Sequence, residues 1–214
     1  MLLLRLGNDV VDLSLPDIQQ KYLDQRFLQR VFAQSEQHTI LSALNKSKVF
    51  WSIWAAKEAA YKACRKQFPK LVFAHQKFVL TDAVLMQLQV IEHQRELMGV
   101  LHHNNLSILV QWHWAEDYVH CLGVLMRENS LLNPWLNIKW NIAKIDINQD
   151  DSFQTRRMAK QFLLTLNYDP LIEIIRIDDR SPPTLWLNKK MLVDHEISLS
   201  HDGQFAAVAV LEHY

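Results

Sequence analysis

Short apolar runs separated by polar turns mark out this chain from end to end. It opens on Leu2-Leu3-Leu4, and its last long apolar run is Phe205-Ala206-Ala207-Val208-Ala209-Val210. Between them the spacing predicts a strand at the start, a helix over 23–44 and a second helix over 48–66. Strands follow over 77–81, 85–92, 98–102, 106–112 and 118–126. In the last of these, Val119, Cys121, Gly123 and Leu125 alternate with His120, Leu122, Val124 and Met126. Both sets are apolar except at His120, so this strand is expected to be buried on both faces. The second half predicts a strand over 138–145, a helix over 152–166, a strand over 172–177 and two strands joined at Gly203. Asp150, Asp151 or Ser152 would cap that helix.

Helices packed on antiparallel strands give an α+β fold. Asn129-Ser130-Leu131-Leu132-Asn133-Pro134 reads as a linker and divides the chain into modules 1–130 and 131–214. Each module would carry a helix on an antiparallel sheet, related by a pseudo-two-fold, with the active site between them. Domain interfaces are a common place for such pockets.

Charge narrows the choice of partners. Lysine plus arginine number 23 and so do aspartate plus glutamate, which argues against a nonspecific nucleic-acid binder. No stretch reaches the ~18 apolar residues of a membrane-spanning helix. Two cysteines, Cys64 and Cys121, form no CxxC pair and are expected to be reduced, which points to the cytoplasm. The four glycines, at 7, 99, 123 and 203, are too dispersed for a glycine-rich phosphate loop. Phosphate would have to be held by side chains, a metal or a helix N-terminus.

The candidate chemistry lies in three segments. In Trp54-Ala55-Ala56-Lys57-Glu58-Ala59-Ala60-Tyr61-Lys62, Glu58 and Lys62 share one helix face. Taken alone they read first as an ordinary i,i+4 ion pair, a common spacing on helices, with a metal ligand and a phosphate clamp as the alternative. Gly7-Asn8-Asp9 sets a carboxylate on a strand, with a glycine that permits close backbone approach. Ser200-His201 stands at the end of a strand, before the turn at Gly203.

Together these segments resemble the 4′-phosphopantetheinyl transferases. That family carries a Gly-x-Asp strand, a Trp-x-x-Lys-Glu-Ala-x-x-Lys helix and a Ser-Leu-Ser-His turn, which stand here as Gly7 to Asp9, Trp54 to Lys62 and Ser198 to His201. The order matches the family's short, trimer-forming members. At 214 residues the chain matches its two-module members, with their halves exchanged. The resemblance implies transfer of 4′-phosphopantetheine from coenzyme A to a serine of an acyl or peptidyl carrier protein. It implies Asp9 and Glu58 as magnesium ligands, with Glu58 and Lys62 as the catalytic pair. Lys57, Lys62, Arg156, Ser200 and His201 would bind coenzyme A, with Arg157 as the alternative to Arg156. Two modules in one chain would let it act as a monomer. Arg26, Arg30, Lys46, Lys48, Arg65, Lys66 and Lys70 are candidates for meeting an acidic carrier protein. Val11 replaces the second acid found in many long members, and no Gly-x-Gly follows the helix. These departures leave one alternative, a non-catalytic coenzyme A- or carrier-binding protein on the same scaffold.

Overall fold

The structure, a computed structural model, describes residues 4–126, 133–178 and 181–213. Its elements in chain order are β1 (Arg5–Asp12), α1 (Gln25–Val31), α2 (Gln34–Ser42), α3 (Lys46–Gln67), β2 (Phe78–Leu80), α4 (Asp82–Gln89), β3 (Glu96–His103), β4 (Leu106–Trp114) and β5 (Tyr118–Leu125). After the undescribed residues come β6 (Ile138–Lys144), α5 (Asp151–Thr165), β7 (Glu173–Ile175), β8 (Thr184–Leu187), β9 (Lys190–Met191), β10 (His195–Asp202) and β11 (Phe205–Glu212). The fold is α+β, and every strand pairing is antiparallel. A five-stranded sheet runs β1-β5-β4-β3-β2, a second runs β10-β11-β6 and a small third runs β7-β8-β9.

The 22-residue helix α3 is the axis of the first sheet's core. Asn45 caps it by accepting the Lys48 amide at 3.0 Å. Its inner face is a row of small residues, Ala55, Ala56, Ala59, Ala60 and Ala63, all buried. That row meets Gly7 and Gly123, which pair across β1 and β5. A Cβ on Gly7 would overlap the Ala59 carbonyl oxygen and stand 2.7 Å from the Ala63 nitrogen; one on Gly123 would stand 2.8 Å from the Ala59 carbonyl carbon. Helix backbone therefore lies directly on strand backbone, which brings the helix side chains at 58 and 62 down to the level of Asp9. Gly7→Ala must push the two apart, and such overpacking typically costs about 1–3 kcal/mol. A clear drop in the thermal midpoint is expected; an unchanged midpoint would show that the two backbones are not in fixed contact.

The strand β1 is enclosed on three sides. Its odd positions face α3. Its even positions face the second sheet, with Leu6 packing near Ala209 and Leu211 and Val10 near Phe205 and Ala207. Its free edge meets β10. The far face of the second sheet is covered by α5 through Met158, Ala159 and Leu163.

Several elements depart from the sequence expectation. The single helix over 23–44 is two helices, broken where Phe32 turns extended to bury its ring against Phe27 and Phe50. Glu36 fixes the restart by accepting the Ala33 amide at 2.8 Å. The strand over 85–92 is replaced by α4, which buries Val84, Leu85 and Leu88, a helical rather than an alternating spacing. The strand over 172–177 shrinks to β7, and β8 and β9 have no counterpart in the expectation. Most of the expected linker, 127–132, lies outside the described residues. Among the described residues no helix is long and apolar enough to cross a membrane.

Candidate functional site

The expected residues converge where β1, α3 and β10 meet. Asp9 projects from β1 toward α3, and Lys62 reaches it with Nζ 2.7 Å from Oδ1 while donating to the Asn8 carbonyl at 3.0 Å. The ion pair formed is thus Lys62 with Asp9, across 53 residues, and not the local pair with Glu58. Glu58 lies one turn earlier on α3, half-buried, on the wall of the same groove. Burial first, and then the charge of Asp9, push its carboxyl up to about 7, against the pull of Lys62. Burial also raises Asp9, opposed by Lys62 and by His201. Two carboxylates therefore share one lysine.

The seam between β1 and β10 is a ladder of side chains. Leu6, Asn8 and Asp12 donate their amides to Glu196 Oε2 at 3.3 Å, Ser198 Oγ at 2.9 Å and Asp202 Oδ2 at 2.9 Å, each across 190 residues. The constant offset means the strands run side by side in one direction. The alternation puts Ser200 on the next rung, opposite Val10. Ser200 Oγ is buried and has no hydrogen-bond partner. Ser200 itself helps line a cavity of about 200 Å³ with Lys62, Thr155, Arg156, Arg176 and His201. An adjoining cavity of about 180 Å³ shares Lys62, Arg176 and Leu199 and adds Glu58, Arg65 and Pro182. The two form one groove, with Glu58 and Arg65 toward one end, Arg156, Ser200, His201 and the first turns of α5 toward the other, and Lys62 and Arg176 common to both; Asp9 joins it through Lys62. His201 is half-exposed, with Nδ1 3.8 Å from Asp151. A further cavity, about 650 Å³, lies at the opposite end of α3 around Asn45 and Lys48 and holds none of these residues.

One expected ligand is excluded. The Lys57 side chain is fully buried, 2.7 Å from Glu36 Oε2, and donates to the carbonyls of His75 and Phe78. It holds the core together and cannot reach the groove. Lys66 likewise turns inward, 2.8 Å from Glu196 Oε2, and is withdrawn from any docking face. Of the two arginines on α5, Arg156 lines the groove and Arg157 does not. Arg176 and Thr155 were not expected. Thr155 shares the first turns of α5 with Arg156, a spacing visible in the sequence, whereas Arg176 follows a short strand and carries no local signal.

Glu196 ties the seam to both flanks, meeting Arg5 at 2.5 Å as well as Lys66. Burial pushes its carboxyl up, but Lys66 and Arg5 outweigh burial and hold it below the ordinary carboxylate value. A depressed folded value gives stability that is complete above the unfolded-chain value of about 4.3 and is lost as pH falls through the folded value. Parent and Glu196→Gln should therefore differ most in unfolding midpoint near neutrality and converge in acid. A gap that persists unchanged to pH 3 would remove the charge from this account.

Among the described residues no group of three or more His, Cys, Asp or Glu is arranged to hold a metal. Asp9 and Glu58 nonetheless suit a hard divalent cation that takes its remaining ligands from phosphate and water. Both donors are carboxylate oxygens, the hard ligands such a cation prefers.

A family model described as the 4′-phosphopantetheinyl transferase superfamily matches residues 5–122. No curated protein matches the chain in sequence. Among solved structures, the holo-[acyl-carrier-protein] synthase of Thermotoga maritima is similar at 16% identity, covering 84% of this chain and 80% of that one with a TM-score of 0.37.

Proposed function

Because this chain belongs to the 4′-phosphopantetheinyl transferase superfamily, we propose that it transfers 4′-phosphopantetheine from coenzyme A to a serine of an acyl or peptidyl carrier protein. The observation that carries this reading is the groove. It combines Glu58 and Lys62, the latter paired with Asp9, with a buried, unpartnered Ser200 hydroxyl, the Arg156 guanidinium and the His201 imidazole. The same reading takes 1–130 and 131–214 as two modules related by a pseudo-two-fold, with the site between them, acting as a monomer.

Ser200, His201 and Arg156 bind the nucleotide phosphates, the hydroxyl and the guanidinium by donating to phosphate oxygens. Lys62 stands between that end and the carboxylates, where it offsets charge on the diphosphate. Asp9 and Glu58 would hold magnesium, which supplies neutralisation of the diphosphate as the leaving group departs. The acceptor serine oxygen forms the new bond to the phosphorus that bears pantetheine. The bond from that phosphorus to the bridging oxygen breaks, and adenosine 3′,5′-bisphosphate leaves with the electron pair. The serine proton goes to Glu58, the carboxylate on the groove wall.

The test is incubation of an apo carrier protein with coenzyme A, magnesium and this protein, read by mass spectrometry. A gain of one phosphopantetheine supports transfer; coenzyme A bound with no gain on any carrier overturns it in favour of a binding protein. Within the transfer reading, His201→Ala should raise the KM for coenzyme A more than it lowers kcat. A loss confined to kcat would move His201 from holding the nucleotide to the chemistry.

A further inference from the structure

The Ser200-His201 pair belongs to one end of the chain and Asp9 to the other, so something must fix their separation. The rung of Ser200 with Val10, next to Asp9, supplies nothing, because Ser200 Oγ makes no bond to β1. The fixed rungs lie to either side, at Asn8 with Ser198 and at Asp12 with Asp202.

The second of these is reciprocal. Asp202 Oδ2 accepts the Asp12 amide at 2.9 Å, and Asp12 Oδ2 accepts the Gln204 amide at 2.9 Å. The other oxygen of Asp12 accepts both the amide of Ser14, at 2.9 Å, and its hydroxyl, at 2.5 Å. Ser14 Oγ in turn accepts Gln204 Nε2 at 2.9 Å. Gly203 has φ +50, and a Cβ there would run into the Asp12 carboxylate. The turn is thus seated directly on Asp12, immediately after His201. Asp12 is 1% exposed and lines neither half of the groove.

We propose that Asp12 and Asp202 are positioning residues, a reciprocal clasp that sets the distance between Ser200-His201 and the Asp9-Glu58-Lys62 cluster. The assignment rests on the transfer reading above, in which the nucleotide and the reacting phosphate must be held at once. Asp12 acts through the turn and touches no substrate.

Coenzyme A binding with magnesium, measured by calorimetry, tests this in the parent, Asp12→Ala, Asp202→Ala and Asp202→Asn. Misplacing a positioning group by a small distance is costly, so both alanine variants should weaken Kd about tenfold or more. In transfer assays the KM for coenzyme A should rise by a similar factor, with a smaller change in kcat. Asp202→Asn keeps an oxygen to accept the Asp12 amide and should bind as the parent does. A purely structural role would lower the thermal midpoint of the alanine variants and leave Kd unchanged well below that midpoint, which overturns the proposal. Equal weakening in Asp202→Asn and Asp202→Ala also overturns it. If Asp12→Ala does not fold, the two Asp202 variants decide. A parent that binds no coenzyme A defeats the transfer reading itself, whereas a parent that binds and alanine variants that bind equally well defeat the clasp alone.

Discussion

Glu58→Gln is expected to cut the transfer rate by about a hundredfold or more while leaving the fold intact, the scale of losing a charged contact to the transition state. The substitution keeps size and polarity. It removes both the negative charge that would help hold the cation and the basic oxygen that receives the serine proton. It also relieves Asp9 of a like-charged neighbour, so thermal stability should stay level or rise slightly, since that repulsion is present in the parent. Asp9→Asn should give a similar kinetic loss without the gain, because it breaks the 2.7 Å pair with Lys62. Steady-state rates at saturating magnesium, beside thermal midpoints for both variants, check this. A near-parental rate in either one would remove that residue from the reaction.

Lys57→Met is expected to destabilise the protein by about 3–5 kcal/mol, because it leaves the buried carboxylate of Glu36 without its counter-charge. Both side chains are fully buried, 2.7 Å apart. Glu36 also accepts the amides of Ala33 and Leu80, and Lys57 donates to two backbone carbonyls, so the pair joins α2, α3 and β2. The double change Lys57→Met with Glu36→Leu should recover part of the loss, since it removes the stranded charge and leaves only the unmet backbone groups. Urea unfolding of the parent and the two variants measures this. A double variant no better than Lys57→Met would mean the cost comes from backbone satisfaction and not from charge.

Lys57 and Glu58 also show where reading the sequence reached its limit. The motif places both on one helix, and their separation of about 100° around the axis is fixed by the helical repeat. That angle says only that they face differently. Which of them faces the core depends on Glu36, which lies on another helix with no sequence signal tying it to Lys57. Asp9, Glu58, Lys62, Ser200 and His201 were legible because each sits in a recognisable local pattern, and the structure brings them to one groove. The partner of Lys62 was not, since the local spacing favoured Glu58 and the tertiary fold supplied Asp9. The long strands β3, β4, β5, β6, β10 and β11 followed from alternation and apolar runs. The helix α4 did not, because a short apolar run fits strand and helix alike until its neighbours choose. The break at Phe32 is set by an aromatic cluster that includes Phe50 of α3, beyond what a local window around 23–44 contains.

The ladder along β1 has a consequence for how the molecule reaches its folded state. Most partners in the first sheet are near in sequence, as β3, β4 and β5 form a meander, and such contacts assemble early. The outward amides of β1 must wait for a strand 190 residues away. Closing so long a loop is slow, and until it closes β1 presents a bare edge of unsatisfied donors, the kind of surface on which partly folded chains pair with one another. The stretch that assembles the groove is therefore also the last to be protected from aggregation.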